Sequence, residues 1–349
     1  MEQKSVIIII PCSDLNEYVV ECLRGCLGLA YGNYRIALLP DAHQELPEEF
    51  RNKNIIVMPT GDVTISAKRN LAISSFRDAD YYAFIDSDAY PDEDWLKNSI
   101  AAFVRDDIMA VGGPGLSPPN ECLHQKVVGN AVKSFLVSGH LAFSKIVSAN
   151  RYCLNLHSCN LIVSGLALER IGGFNEGLKT GEDRELCRRI RKINGKIFFS
   201  NNVIVYHHNR YFGRHFFMQR IIHGYSIFSI MRADRDWHDA VLFAPLFCVT
   251  LAGAGLLAGF ANNTYWVVSG SCIAFYFLIA LAEAARKSDS VGELPLTFLA
   301  IITSNAGYVL GSFMGLFGVK LNFRKMYCNY PDPGRGRQDN FSSDRAAPK

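Results

Sequence analysis

The segment Val6-Ile7-Ile8-Ile9-Ile10-Pro11 is the first of four short apolar runs in the N-terminal part of the chain. Four isoleucines after a valine, ended by a proline, are typical of a strand that is buried on both faces of a sheet. The later runs lie at residues 34–39, 54–58 and 81–85, and helices are expected at residues 16–27 and at about 64–76. This alternation predicts an α/β domain with a mostly parallel sheet and helices on both of its faces.

The composition excludes several classes of protein. Of the 349 residues, 49% are hydrophobic and 20% are charged, which is too apolar for a disordered chain. The net charge of +3 is too small to indicate nucleic acid as the main partner. The ten cysteines are scattered without any C-x-x-C spacing, so we expect reduced, structural cysteines in a cytosolic domain.

An acidic turn, Asp86-Ser87-Asp88, follows the fourth apolar run directly. In a parallel sheet, ligands bind beyond the carboxyl ends of the strands, so both carboxylates are expected to face the same crevice. Two acidic oxygens so close together suit Mg²⁺ or Mn²⁺, which also takes phosphate oxygens as ligands. The alternative is a solvated turn that caps the helix expected at residues 92–103.

Two further features indicate chemistry near that turn. Lys68 and Arg69 stand at the start of a predicted helix, where cations are unfavourable unless an anion such as a diphosphate is bound. Glu182 and Asp183 open another predicted helix, residues 181–190, where the helix dipole keeps a carboxylate ionised as a general base requires. For Lys68 and Arg69 the alternative is an ordinary amphipathic helix with solvated cations. For Glu182 and Asp183 it is simple capping of the helix. Short strands are expected at residues 108–111, 161–164 and 197–206.

These landmarks in their order resemble the family 2 glycosyltransferases of GT-A fold, specifically the membrane-attached bacterial or archaeal type of exopolysaccharide or glycolipid synthesis. The resemblance covers about residues 5–225 and implies a Rossmann-like GT-A catalytic domain over residues 1–208. The stretches that carry it are Pro11, Asp41, Ala67-Lys68-Arg69-Asn70, Asp86-Ser87-Asp88, Gly172-Gly173-Phe174, Gly181-Glu182-Asp183 and Val205-Tyr206-His207-His208.

The resemblance implies a role for each of these positions. Asp183 matches the catalytic base, and Asp88 matches a metal ligand. Asp86 is expected on the ribose side of the donor and beside the metal, with His207 or its neighbour His208 as a third metal ligand. Donor binding is assigned to Pro11, Asp41, Lys68, Arg69 and Asp86, and the acceptor or diphosphate side to Glu182, Arg189, Gln219 and Arg220.

The chain also departs from the family pattern. Ser13-Asp14 stands where the family often has Asn-Glu, and Pro40-Asp41-Ala42-His43 replaces a paired acidic turn, which leaves the nucleotide base open between UDP- and GDP-linked donors. The Q-x-x-R-W motif of processive synthases is replaced by a stretch beginning Gln219-Arg220, so we do not expect long-chain polymerisation.

The C-terminal part has the pattern of a membrane region. Three apolar runs without Asp, Glu, Lys or Arg, at about residues 240–260, 264–282 and 294–319, are each long enough to span a bilayer. The third run carries Gly307, Gly311, Gly315 and Gly318, small residues that permit close helix contact. Residues 209–239 interleave arginines with aromatic residues, which predicts an amphipathic interfacial segment; a helix packed on the catalytic domain is the alternative.

The charge of residues 320–349 conflicts with three full crossings. This basic tail contains seven Lys or Arg against three Asp, yet three crossings would place it outside when the catalytic domain is inside. Either the third run is re-entrant or broken near Asn305, which we favour, or the tail is a tolerated exception.

The leading hypothesis is an integral inner- or plasma-membrane protein with its catalytic domain in the cytosol. It would be an inverting glycosyltransferase that moves a sugar from a nucleoside-diphosphate sugar to a hydroxyl of a lipid-linked glycan or polysaccharide, with Mg²⁺ or Mn²⁺ as cofactor and membrane lipids as partners. The alternatives are a polyprenyl-phosphate glycosyl synthase and a degenerate, non-catalytic GT-A membrane protein.

Overall fold

A computed structural model describes residues 3–51, 54–233, 237–319 and 321. The first half of the catalytic region contains the predicted strands and helices, and its second and third strands have no α-helix between them in the described residues. Its elements are β1 (Val6–Pro11), α1 (Glu17–Leu27), β2 (Tyr34–Leu39), β3 (Ile55–Val57), α2 (Ile65–Ser75), β4 (Tyr81–Phe84), β5 (Ala89–Pro91), α3 (Trp95–Ala101), β6 (Ile108–Gly112) and β7 (Gly115–Leu116).

The rest of the described chain is richer in helices. Short 3₁₀ turns at Gly139–Lys145 and Ser158–Asn160 lie beside the site described below. The elements are α4 (Leu123–Val132), α5 (Phe135–Ser138), β8 (Arg151–Tyr152), β9 (Leu161–Ser164), α6 (Gly165–Ile171), α7 (Glu182–Lys192), β10 (Lys196–Phe199), β11 (Val205–His207), α8 (Arg214–Ala233), α9 (Ala244–Ala258), α10 (Asn263–Lys287) and α11 (Leu294–Leu316).

The main sheet has eight strands in the order β3-β2-β1-β4-β9-β6-β10-β8. Strands β3, β2, β1 and β4 are parallel to one another, as are β6 and β10, whereas β9 runs antiparallel between β4 and β6. The predicted mostly parallel α/β sheet is confirmed. Strand β1 shows why its run is continuous: Ile8 and Ile10 pack with α1 on one side, and Ile7 and Ile9 pack on the opposite side.

A single strand over residues 197–206 is a wrong expectation. The chain turns at Ser200, whose carbonyl accepts from the Val203 N–H, and divides the segment into β10 and β11. Strand β11 belongs to a separate three-stranded sheet of order β5-β11-β7. Because β5 begins directly after Asp88 and its Ala89 pairs with His207 of β11, this small sheet brings the acidic turn and the histidine together.

Three C-terminal helices are long and apolar enough to cross a membrane: Ala240–Ala258, Asn263–Lys287 and Val291–Leu316. A break near Asn305 is wrong, because α11 continues as one helix from Leu294 to Leu316. The Asn305 amide donates to the Tyr276 hydroxyl of α10, so this polar side chain is satisfied inside a helix contact. The basic tail of residues 320–349 lies outside the described residues except for position 321.

Helix α8 packs backbone-to-backbone along α11. A Cβ added at Gly311 would lie 1.9 Å from the Ile221 carbonyl oxygen, and one at Gly224 would lie 1.9 Å from the Tyr308 carbonyl oxygen. Gly307 and Gly315 also face α8, as the small-residue spacing predicts, whereas Gly318 faces open space. Helix α8 therefore packs along α11, and the interfacial location of residues 209–239 stays a prediction.

We predict that Gly311→Ala destabilises the protein. The new methyl group would overlap the Ile221 carbonyl, so the two helices must move apart, at a cost on the order of 1–3 kcal/mol. Thermal unfolding of the detergent-solubilised full chain should show a midpoint lower by several degrees. Gly253→Ala is the matched control, because a Cβ there meets nothing within 4 Å. Equal midpoints for both variants would contradict the close approach of α8 and α11.

Candidate active site

Arg69 is the most enclosed charge of the site, with 1% of its surface exposed. It lies in α2, which begins after Thr64, whose hydroxyl accepts from the Ala67 N–H. The guanidinium donates to Glu182 Oε1 at 2.8 Å, to Asp86 Oδ1 at 3.2 Å and to Ser158 Oγ at 2.9 Å. Arg69 therefore joins three distant segments of the chain.

Lys68 is also buried and is used within the protein. Its Nζ pairs with Asp41 and donates to the carbonyl oxygens of Cys12 and Leu39. Those carbonyls lie at the carboxyl ends of β1 and β2, where Pro11 pairs with Leu39. The structure thus brings Pro11, Asp41 and Lys68 together at the predicted edge, but the ammonium of Lys68 is occupied by protein oxygens rather than open to a diphosphate.

Asp86, Asp88 and His207 form a cluster in which one ligand atom from each lies within 4.8 Å of the others. His207 Nε2 lies 3.1 Å from Asp88 Oδ1 and 3.9 Å from Asp86 Oδ2. Two carboxylates and one imidazole leave coordination positions for phosphate oxygens and water, so this donor set fits Mg²⁺ or Mn²⁺.

The electrostatics of Asp88 favour the charged form that a metal ligand needs. Burial pushes the pKa of Asp88 up, but His207 and Arg210 more than offset this effect and lower it below the usual range. Arg210 Nη2 lies 3.2 Å from Asp88 Oδ2. Sequence reasoning did not select Arg210, although its position two residues beyond the paired histidines could have indicated it.

The structure distinguishes His207 from His208. His208 Nε2 lies 2.7 Å from Glu21 Oε2, and its ring packs 4.7 Å from that of Tyr18 on α1. Successive residues of a strand point to opposite faces, so only one of the two neighbours can reach the acidic turn. His207 does so, in agreement with the first of the two expected ligands.

Asp183 lies in the first turn of α7, behind Gly181, which has a left-handed backbone with φ of 81°. Its Oδ2 accepts from the Ser158 N–H at 3.3 Å and lies 3.6 Å from His157 Nδ1, and its Oδ1 accepts from the Arg184 N–H at 2.7 Å. Burial acts to raise the pKa of Asp183, but the His157 hydrogen bond, the Arg184 N–H and Arg69 lower it to about 2.

Glu182 has a different environment from its neighbour. Burial raises the pKa of Glu182 and the Asp183 charge adds to the rise, while Arg69 opposes it. Because its Oε1 is held by Arg69, Glu182 braces the site rather than offering a free carboxylate. Ser158, which sequence reasoning missed, links both carboxylates: its hydroxyl accepts from Arg69 and its N–H donates to Asp183.

The other predicted residues lie further from the cluster. Arg189 donates to both oxygens of Glu185 and to the carbonyls of Ile171 and Gly173, so it braces the glycine-rich loop instead of facing an acceptor. Gln219 is half-buried on α8.

Arg220 is buried on α8. It donates to the Val137 carbonyl at 2.9 Å and stacks over the Tyr308 ring. Within the described part of the chain it has no carboxylate partner.

The fold is a GT-A glycosyltransferase fold with a mostly parallel main sheet. The model of Glycosyl transferase family 2 matches residues 7–126. Among solved structures, the mannosyltransferase PcManGT from Pyrobaculum calidifontis, in complex with GDP-Man and Mn²⁺, is similar with a TM-score of 0.64. The alignment covers 92% of this chain and 89% of that one at 15% identity, which supports the fold.

Two curated sequences are also similar. Both are named pre-mycofactocin glycosyltransferase, from the CDC 1551 / Oshkosh and ATCC 25618 / H37Rv strains of Mycobacterium tuberculosis. Each is 25% identical over 231 residues, which are 63% of this chain. The chain spans about half the length of these relatives, because the match covers 48% of each.

We predict that Asp88→Asn abolishes specific Mn²⁺ binding. Removing a residue that hydrogen-bonds to a metal ligand typically weakens metal affinity by about 10- to 100-fold. Removing a ligand itself should therefore weaken binding by at least about 100-fold. Titration calorimetry of the full chain with MnCl₂ measures the effect. Asp78→Asn, an exposed carboxylate outside the cluster, is the control and should bind as the wild type does. Unchanged affinity in Asp88→Asn would remove this cluster as the metal site.

Proposed function

We propose that the protein is a membrane-bound inverting glycosyltransferase. It transfers a sugar from a UDP- or GDP-linked donor to a hydroxyl of a lipid-linked or polysaccharide acceptor at the cytosolic face. The observation that carries this proposal is a hydrogen-bonded path between Asp183 and Asp86. The carboxylate of Asp183 accepts from the Ser158 N–H, and Arg69 donates to both the Ser158 hydroxyl and Asp86. The proposed base and the proposed metal-binding cluster are thus linked through Ser158 and Arg69.

The donor would occupy the carboxyl ends of the parallel strands. Pro11 and Asp41 are proposed to contact the nucleotide base, and Asp86 the ribose side. Asp86, Asp88 and His207 would hold Mg²⁺ or Mn²⁺, which when bound supplies positive charge to the departing diphosphate. The complex of PcManGT with GDP-Man and Mn²⁺ supports this type of donor and cofactor by similarity of fold.

Asp183 is the proposed base. An acceptor hydroxyl must lose its proton as its oxygen attacks the anomeric carbon, and a carboxylate with a pKa of about 2 is ionised at any pH at which the protein would work. Its acid form appears only as the pH falls toward 2. Because Glu182 is held by Arg69, we assign the base to Asp183 alone, and a single base suits direct displacement with inversion rather than a covalent intermediate.

The acceptor is proposed to approach from the membrane side. Helix α4 of the catalytic region contacts the start of α11 through Asn130, whose amide donates to Glu293 Oε2 at 2.9 Å. Gln219 and Arg220 lie on α8, which packs along α11, and we propose that they form part of the acceptor side. This arrangement keeps the crevice next to the three apolar helices.

The alternative functions are less well supported. A polyprenyl-phosphate synthase has an acceptor that is already ionised and needs no base, so the hydrogen-bonded placement of Asp183 argues against it. A non-catalytic membrane protein is disfavoured because Asp88 and Asp183 are both present and in position.

We predict that the full chain is an integral membrane protein. With three long apolar helices, it should sediment with membranes and stay there after washing at pH 11 in carbonate, which removes proteins bound by charge alone. Immunoblotting of pellet and supernatant measures the distribution. A peripheral protein of the same host serves as the control and should be released. Release of the chain by the wash would contradict the spanning helices.

We predict that Asp183→Asn slows sugar transfer by at least about 100-fold, because a positioned base contributes 10²- to 10⁴-fold to such a step. The amide keeps the size and polarity of the side chain, so KM for the donor should change little. Release of nucleoside diphosphate in the presence of acceptor measures the rate. Asp106→Asn, at an exposed position, should keep normal turnover. Normal turnover of folded Asp183→Asn would favour the polyprenyl-phosphate reaction instead.

A further inference from the structure

Lys145 is a cation near the site that the sequence patterns do not single out. It is half-buried and is the last residue of the 3₁₀ turn Gly139–Lys145. Its Nζ lies 4.0 Å from the position that a Cβ would have at Gly115, and the Cys159 sulfur lies 3.8 Å from the same position. The ammonium of Lys145 therefore packs over β7, beside Cys159.

Both neighbours of Lys145 belong to the walls of the active-site crevice. Gly115 pairs with Val205 of β11, the strand that ends at the metal ligand His207. Cys159 follows Ser158, which hydrogen-bonds to Asp183 and Arg69. The ammonium thus lies between β7, which pairs with the strand leading to His207, and the segment of Ser158 and Cys159, which contacts Asp183.

The charges around Cys159 agree with this location. Burial raises the pKa of the Cys159 thiol to about 12, the positive charge of Lys145 opposes the rise, and Asp86, Asp183 and Asp88 add to it. The Cys159 thiol therefore interacts electrostatically with both the lysine and the three carboxylates of the site.

Lys145 differs from the other cations of the crevice in its bonding. Arg69 is bound by Glu182 and Asp86, Lys68 by Asp41, and Arg210 by Asp88. Lys145 makes no hydrogen bond or ion pair with the residues that the structure describes. A half-buried ammonium has lost part of its hydration, and an anion in contact with it would offset that loss.

We propose that Lys145 binds the diphosphate of the nucleotide sugar and stabilises it as it leaves. This inference rests on the proposed function. In the transfer step the acceptor oxygen forms its bond to the anomeric carbon, and the bond from that carbon to the diphosphate oxygen breaks. The electron pair goes to the diphosphate, and the hydroxyl proton goes to Asp183. Lys145 donates hydrogen bonds to the phosphate oxygens throughout and keeps its proton.

A lysine suits this role for two reasons. Its ammonium is a compact charge with three donors on a flexible stem, so it can follow a phosphate group whose charge grows during the reaction. Hydrogen bonds between charged partners are about twice as strong as neutral ones, so their loss should be measurable in ligand affinity.

The test compares Lys145→Met with Lys145→Arg in the full chain, with Lys126→Met, at an exposed position on α4, as the control. Titration with UDP and GDP in the presence of Mn²⁺ identifies which one the wild type binds and its affinity. Uridine and guanosine, which lack phosphate, are compared by ligand-observed NMR. Thermal unfolding of each variant verifies that it is folded.

We expect Lys145→Met to weaken diphosphate binding by about 10- to 100-fold, the loss of one charged hydrogen-bonding partner, with nucleoside binding unchanged. Lys145→Arg should recover most of the affinity, and Lys126→Met should equal the wild type. Equal weakening of nucleoside and diphosphate binding would overturn the proposal, because it would indicate a merely structural role.

A second result would also overturn the proposal. If Lys145→Met binds nucleoside diphosphate normally but shows a raised KM for a phosphate-bearing lipid acceptor, the lysine serves the acceptor instead. Failure of the proposed function is a separate outcome: the wild type would then release no nucleoside diphosphate from any sugar nucleotide. Because diphosphate binding is measured without turnover, it tests Lys145 in either case.

Discussion

The buried guanidinium of Arg69 is the interaction on which the site depends. It binds Glu182 and Asp86, two carboxylates more than 90 positions apart in the chain, and it also binds Ser158. Two partly buried carboxylates without this cation would repel each other and bear an uncompensated desolvation cost. Arg69 therefore holds together the end of β4, the first turn of α7 and the turn before β9. It also fixes Ser158, whose N–H donates to Asp183.

The small sheet has an equally specific role. Its strands are only two or three residues long, so their hydrogen bonds add little to the stability of the whole domain. They matter because pairing of Ala89 with His207 sets the register of a histidine against an acidic turn 119 positions away. A slip of one residue would turn His207 away and bring His208 to the cluster. The contact of His208 with Glu21 opposes such a slip, because it already holds that imidazole on the side of α1.

The glycines of α11 connect the catalytic region to the apolar helices. Gly307, Gly311 and Gly315 stand one turn apart and face α8. A Cβ at Gly311 would overlap the Ile221 carbonyl, and Cβ atoms at Gly307 and Gly315 would lie 3.0 Å or less from atoms of α8. Helix α8 in turn carries Arg220, which is bonded to α5 of the catalytic region through the Val137 carbonyl. A path of close contacts thus leads from α11 through α8 to α5 of the catalytic region.

The sequence by itself determined the features that depend on local pattern. Residue type and short-range periodicity account for the apolar runs of β1 to β4, the helices after β1 and β3, and the position of Asp86 and Asp88 after β4. They also account for the length of the three apolar helices. Only the tertiary structure decided which partner each polar side chain takes. Lys68 binds strand carbonyls, Arg189 braces a glycine loop, residues 197–206 divide between two sheets, and Lys145 packs beside Gly115. The physical reason is that hydrogen bonds and ion pairs act over a few ångströms between segments distant in sequence, so they exist only after hydrophobic packing has brought those segments together.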